Sequence, residues 1–313
     1  MFNYILKRVF LAIPTLLIAS LIVFIMVRIL PGDPAALMLG DMQDARSLEQ
    51  MRAQLGLDKP IVMQYLIWLS DMLSFEFGNS IITGQSVSEL IFDRFFVTFQ
   101  LVMVAVGIAI IIAIPSGLYA ALKHNTFTDH SIMMLSIFLL SIPSFWIALM
   151  LVLVFGVELR WLPTIGYVAL SDNVQEAIRY LILPVVSLAL VVIGQFTRMM
   201  RSTSIDILNT EFVLNARAKG LSEIQILKRH IFKNAFAPTL TIIGMVIGSL
   251  LGGAAVIETL FTLPGIGRLM VDSLYSRDYP VIQASTLLMG GVFVLVNLLV
   301  DLLYPFFDPR VKL

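Results

Sequence analysis

Phe95–Leu122 reads FFVTFQLVMVAVGIAIIIAIPSGLYAAL, 28 residues without one Asp, Glu, Lys or Arg. A helix needs roughly 20 mostly apolar residues to cross a bilayer, so this stretch has the length and the composition of a membrane span. Five more charge-free stretches flank it: Val9–Val27 (19 residues), Ser131–Val157 (27), Tyr180–Thr197 (18), Asn234–Ile257 (24) and Tyr279–Val300 (22). The six together hold 138 of the 313 residues, so every charge falls in the other 175. Hydrophobic residues make up 58% of the chain and charged residues 13%, about half the charged fraction of a soluble domain. The expectation is an all-α polytopic membrane protein with six transmembrane helices. It divides into an N-terminus (1–8), a first transmembrane helix (9–28), an insertion (29–94), a five-helix core (95–305) containing a polar loop (198–237), and a C-terminus (306–313).

The formal net charge is zero, which excludes a nucleic-acid binder driven by bulk charge. With no cysteine there is no disulfide, no thiolate metal site and no Cys nucleophile. Lys7 and Arg8 before an apolar run imitate a signal peptide, but the run is 19 residues long and no A-x-A site follows it. A retained first helix is expected. Lys and Arg in short loops set orientation. With the N-terminus inside, segments 1–8, 123–130, 198–233 and 301–313 carry 12 Lys/Arg, and the outer loops 158–179 and 258–278 carry 4. Both termini are then cytoplasmic. The insertion, with nine acids and four bases, fits outside. Ser47–Leu55 and Ile61–Leu73 have helical spacing there, and Trp68, Phe75 and Phe77 are candidate membrane-surface anchors.

The polar loop reads RMMRSTSIDILNTEFVLNARAKGLSEIQILKRHIFKNAFA from Arg198 to Ala237, with net charge +4. Ile205, Leu208, Phe212 and Ala216 fall on one helical stripe. Leu221, Ile224, Leu227, Ile231 and Ala235 form a second. Gly220 lies between them, and Ser222 with Glu223 supplies an N-cap and first turn. Two amphipathic helices joined at a glycine suit either a loop lying on anionic headgroups or a docking element for a cytoplasmic partner.

These residues carry a resemblance. Ala216-Arg217-Ala218-Lys219-Gly220-Leu221-Ser222, followed by Arg229-His230 and Asn234-Ala235, resembles the cytoplasmic "EAA" loop of bacterial ABC importer permeases, in their dipeptide/oligopeptide/nickel/glutathione branch. Leu30-Pro31-Gly32-Asp33-Pro34, Gly56-Leu57-Asp58-Lys59-Pro60, Phe77-Gly78-Asn79-Ser80, Leu263-Pro264-Gly265-Ile266-Gly267-Arg268, Arg277-Asp278-Tyr279-Pro280-Val281 and Asn297–Tyr304 are similar to that branch in the same order, over the whole chain. One position departs. The wider pattern has Glu six residues before the motif glycine, where this chain has Leu214; the nearest acid is Glu211.

The resemblance implies a type I ABC importer permease fold in the bacterial inner membrane. It implies half of a translocation pathway for short peptides or peptide-like solutes. The implied partners are a second, similar permease, two cytoplasmic ATPases that bind ATP and Mg, an extracytoplasmic solute-binding protein, and membrane lipid. The glycine-centred loop would be the element that docks on an ATPase. The residues agree by omission: no G-x-x-x-x-G-K-[ST] occurs, so no cofactor and no enzymatic activity are expected in this chain. His124, His130 and His230 all lie outside the charge-free stretches.

Within the spans, Gly244, Gly248 and Gly252 recur every four residues, which suits close packing inside the chain, a pathway wall or a contact with a second permease. Pro115, Pro143 and Pro184 read as kinks. Asn297 and Asp301 share a face of the last helix. Asp301 either reaches headgroup water or pairs with a base, Arg198 or Arg201 being the candidates. An ion-driven secondary transporter is the main rival, but it calls for inverted repeats and central ionisable groups, and neither is evident. A membrane scaffold that moves nothing is the other.

The 12-to-4 asymmetry generates a prediction: reporters fused after Lys123 or near Gly220 should be cytoplasmic, and those near Gln54 or Asp272 extracytoplasmic. A cytoplasmic reporter at Gln54 would reverse the orientation.

Overall fold

The computed structural model describes residues 2–29, 45–54 and 58–307. The Leu30–Pro34 block and the Gly56-Leu57 pair lie outside the described residues. Helices account for the rest of the architecture: α1 (Phe2–Ile29), α2 (Ala45–Gln54), α3 (Ile61–Leu73), α4 (Val87–Leu122), α5 (Phe127–Ser141), α6 (Ser144–Leu151), α7 (Val174–Leu208), α8 (Glu211–Ala218), α9 (Glu223–Ile226), α10 (Phe232–Gly253), α11 (Ala255–Phe261), α12 (Ile266–Ser276) and α13 (Tyr279–Phe307). Among the described residues the only β pairing is an isolated bridge, Asn79 to Ser86.

Five helices are long and apolar enough to cross a membrane, and the sixth charge-free stretch is broken. Pro143 is the cause. A proline pushes the residue before it out of the helical region, and Ile142 sits at φ −95°, ψ 126°. The chain bends 95° there, and α6 runs on through a wide turn, Val152–Glu158. The kink expected at Pro143 is therefore a full break of the span into two helices at an angle. Pro115 and Pro184, by contrast, sit inside helices that continue past them. The stretch Asn234–Ile257 also divides, into α10 and the separate α11. α4 begins at Val87, eight residues before its charge-free stretch, with Glu89 in its first turn.

α4 and α7 pack along their length and form the centre. A β-carbon at Gly117 of α4 would lie 2.7 Å from the Thr197 carbonyl oxygen of α7, so the glycine allows the backbones to touch. α5 lies on α7, α10 on α7 and α4, α13 on α10, and α1 at the edge on α13. The apolar face of α1 is almost wholly exposed, as a lipid-facing helix requires. α3 holds the other end of α1: Tyr65 and Ser20 share a hydrogen bond of 2.8 Å, and Trp68 lies against Phe24. Of the three expected surface anchors, Phe77 is buried in the core while Phe75 is exposed.

At the end opposite the polar loop, the motif from Leu263 to Arg268 is built around one buried carboxylate. Glu258 of α11 accepts hydrogen bonds from the Thr98 hydroxyl of α4 (2.5 Å) and the Arg268 N–H (2.8 Å). The Thr98 oxygen in turn accepts the Ile266 N–H (2.9 Å). A carboxyl group thus sits at the N-terminus of α12, where free N–H groups and the helix dipole offset part of the cost of burying it. Gly265 leaves it room, since a β-carbon there would lie 2.2 Å from the Glu258 carboxyl carbon. Nearby, Asp278 accepts from the Ser80 hydroxyl (2.5 Å) and the Ile81 N–H (3.2 Å), tying the insertion to the start of α13.

Burial pushes the Glu258 carboxyl above its ordinary value, against the pull of its hydrogen bonds and of Arg94. A folded-state pKa above the unfolded one means the folded state holds the proton more tightly. The stabilisation is then full below the unfolded value and is lost as pH rises through the folded one. Glu258→Gln should therefore flatten the pH dependence of unfolding in detergent above about pH 4.5, and should leave stability at neutral pH unchanged or higher. A variant whose stability falls with rising pH as steeply as the parent's would refute this role.

Candidate functional site

The polar loop folds as a hairpin of two short helices beneath the membrane helices. α8 ends in a Schellman turn: the Gly220 N–H donates to the Arg217 carbonyl (2.9 Å) and the Leu221 N–H to the Ala216 carbonyl (3.3 Å). This turn requires a left-handed residue, and Gly220 supplies φ 78°. Ser222 then caps α9, accepting from the Gln225 N–H (3.4 Å), while the Gln225 side chain accepts from the Ser222 N–H (3.0 Å). That reciprocal capping box is written in Ser222-Glu223-Ile224-Gln225. Across the turn, Arg217 donates to both oxygens of Glu223, at 2.8 and 3.1 Å. Three local devices therefore fix one tight reversal.

The underside of the hairpin is apolar and anchored. Val213, Ala216, Ile226 and Ile231 bury against Ile114 and Leu118 of α4 and Met200 of α7. The hairpin is thus packed directly against the ends of the two central helices. Its other side is exposed. Glu211, Leu214 and Ala218 lie on one face of α8 at helical spacing, and Lys219 stands beside the turn. Leu214 is 54% exposed and Ile224 64%. Two large exposed apolar side chains on one hairpin have the character of a contact surface.

The two expected stripes are both redrawn. Ile205 and Leu208 belong to the last turn of α7, and the helix restarts at Glu211 after Thr210. In the second stripe Ile224 is exposed and Ile226 takes the buried place. The cause is the wide turn Leu227–Ile231, whose extra residue shifts the helical register.

Asp301 pairs with Arg8 of α1 at 2.9 Å, not with Arg198 or Arg201. The Asn297 amide donates to the Phe293 carbonyl one turn back. Arg201 is engaged elsewhere, with both oxygens of Asp129 at 2.5 and 2.6 Å. Asp129 also accepts the Asn125 N–H (3.0 Å), so this clamp ties the 123–126 turn to α7 just above the hairpin. The sequence concealed the clamp, since 72 residues separate the partners. Gly244 and Gly248 pack inside the chain: β-carbons there would lie 2.4 Å from Val300 and 2.2 Å from the Phe293 ring of α13. Gly252 meets nothing within 4 Å.

Comparison with known proteins gives two family matches covering most of the chain. Residues 113–313 match the model of the binding-protein-dependent transport system inner membrane component, and residues 1–102 match the N-terminal model of the same transport-system membrane component. The chain is 42% identical over 308 residues to a Brucella abortus protein provisionally named a peptide transport system permease, with 98% of each chain covered. It is 40% identical over 312 residues to the glutathione transport system permease protein GsiC of Escherichia coli K12, covering 100% of this chain and 99% of that one.

The packed glycines make a prediction. Gly248→Leu should destabilise the α10–α13 contact by about 1–3 kcal/mol, the usual cost of overpacking, whereas Gly252→Leu should be tolerated in the isolated chain. Thermal unfolding in detergent distinguishes them, and equal stability of the two variants would refute the assignment.

Proposed function

The chain belongs to the family of binding-protein-dependent transport system inner membrane components, and from that premise we propose that it forms one half of the translocation pathway of an ATP-driven importer of short peptides or peptide-like solutes. The family is a membrane component, not an enzyme. In this reading the ATP and Mg are handled by two cytoplasmic ATPase subunits, a second permease supplies the other half of the pathway, and an extracytoplasmic binding protein delivers the solute. The termini and the α8–α9 hairpin are cytoplasmic. Peptides and glutathione share free carboxylates and amide bonds, and the names of the relatives favour that class of solute.

The observation that carries this reading is the hairpin: an exposed apolar tip, a fixed reversal at Gly220, and an underside buried against α4 and α7. A headgroup-bound loop has no need of the last feature. An ATPase that grips Leu214 and Ile224 while it closes on nucleotide would move the hairpin, and the hairpin would move the inner ends of the two central helices. Leu214, in place of the usual glutamate, makes the grip at that position apolar. Glu211 shares its face and remains available to a base on the ATPase. Arg217, paired with Glu223, acts as a strut within the hairpin, an exposed pair contributing about 0–1 kcal/mol. Lys219 is exposed beside the turn.

The test is substitution at the turn. A β-carbon at Gly220 meets nothing within 4 Å, so the cost of a side chain comes from the positive φ and not from crowding. Left-handed backbone costs roughly 1–2 kcal/mol per L-residue, and more where the side chain is β-branched. Asn tolerates it. In vesicles holding the whole complex, Gly220→Val should insert normally yet lose most solute uptake, with ATPase released or hydrolysing ATP unproductively. Gly220→Asn should keep both functions. Full uptake by Gly220→Val would overturn the coupling assignment.

A further inference from the structure

One face of the molecule carries more exposed polar side chains than the others along the spans. On α7, Gln195, Arg198, Ser202 and Asp206 are exposed and fall on one helical stripe. On α10, Thr241, Ser249 and Gly252 are exposed on another, with the exposed Met245 between Thr241 and Ser249. The helices run antiparallel. Thr203 of α7 donates to the Ala235 carbonyl of α10 (3.2 Å), and Thr239 of α10 meets the Met200 sulfur of α7 (3.5 Å). That pairing sets Thr241 level with Arg198. At the hairpin end both stripes open onto one cavity of about 210 Å³, lined by Thr203, Asp206 and Thr210 from the α7 side and by Asn234 and Pro238 of α10. The two stripes therefore look to the same side.

Gln195, Arg198, Asp206, Thr241 and Ser249 make no side-chain hydrogen bond or ion pair among the described residues. The exposed surface of α5 is the contrast. Met134, Leu135, Ile137 and Phe138 are bare hydrocarbon there, and Ser131 and Ser141 turn their hydroxyls back onto their own helix at 2.9 and 2.8 Å. Within the charge-free stretches, the unpaired Gln195 amide would be costly against hydrocarbon, so it faces water or another polar surface; Arg198, Ser202 and Asp206 continue its stripe into the polar end of α7.

Resting on the importer reading above, we propose that the α7/α10 face is the wall of the solute pathway, and that Arg198 and Asp206 at its hairpin end hold the carboxylate and the ammonium group of a short zwitterionic peptide. The spacing suits that solute. Eight residues of helix rise about 12 Å, and an extended peptide of three or four residues spans roughly 10–14 Å. Guanidinium takes a carboxylate with two parallel hydrogen bonds.

The chain's lack of cysteine gives a clean test. In the assembled complex, with cysteine-free partner subunits, single variants Gln195→Cys, Thr241→Cys and Ser249→Cys should react with a charged, water-borne thiol reagent. Leu135→Cys and Phe138→Cys should not. In the same vesicles, Arg198→Met and Asp206→Asn should lower tripeptide delivered per ATP hydrolysed, Arg198→Met by roughly tenfold or more, the size of one lost charge-assisted hydrogen bond. Arg198→Lys should recover part of the loss. Subunit assembly and binding-protein-stimulated ATP hydrolysis should not change. Protected cysteines on the α7/α10 face, as in a dry contact with the second permease, would overturn the pathway assignment. Reactive cysteines with undiminished delivery by Arg198→Met and Asp206→Asn would overturn the peptide grip. If Arg198→Met also blocks assembly, the residue is an interface residue and the grip is likewise overturned. Absence of ATP-dependent peptide uptake by the parent complex would instead sink the importer reading itself.

Discussion

Hydrocarbon contains no water to satisfy a backbone N–H or C=O, so every segment that crosses it must close its own hydrogen bonds as a helix. The rest of the structure follows from that demand. It makes the long charge-free stretches helical, leaves α1 and α5 clothed in apolar side chains, and gathers the polar atoms at the two ends or on the α7/α10 face. The buried carboxylates Glu258 and Asp129 are both paired, Glu258 with Thr98 and the α12 N-terminus and Asp129 with Arg201. Chains inside a bilayer gain little from the hydrophobic effect between helices, so contact depends on fit. Gly117, Gly244 and Gly248 provide that fit, each placed where a β-carbon would strike the neighbouring helix.

Much of this was legible in the residues, because charge-free length and loop charge are one-dimensional signals. All six apolar stretches, the two short helices of the insertion and the reversal at Gly220 could be read directly. What escaped depended on three-dimensional pairing or on a local change of register. Pro143 announces a kink, but its 95° size depends on how α5 and α6 dock on α7. The wide turn at Leu227–Ile231 has no sequence mark, and it reversed the roles of Ile224 and Ile226. Asp301 found Arg8, from the other end of the chain, in place of the bases nearer to it in sequence. Glu258 lies just beyond a charge-free stretch, and no sequence signal marks it as buried.

The hairpin and the polar face belong to one mechanical unit. α7 carries Met200 on the side that the hairpin packs against and Gln195, Arg198 and Asp206 on the stripe turned towards the proposed pathway. A rotation of α7 driven from below would therefore change what the solute meets above. The Arg201–Asp129 clamp adds α5 to the same body, so that the turn at 123–126 would move with the hairpin. The carboxylate-capped turn at α12 holds the opposite end of α4, so in the proposed coupling motion would enter at the hairpin end.

The central claim is that an ATPase grips the exposed tip of the hairpin. The most direct measurement is site-specific cross-linking from Leu214→Cys and Ile224→Cys in the otherwise cysteine-free chain, with the complete complex in vesicles. The account predicts that both positions cross-link to an ATPase subunit, with yields that change when ATP replaces the nucleotide-free state. Cross-links to lipid alone, or yields indifferent to nucleotide, would contradict it.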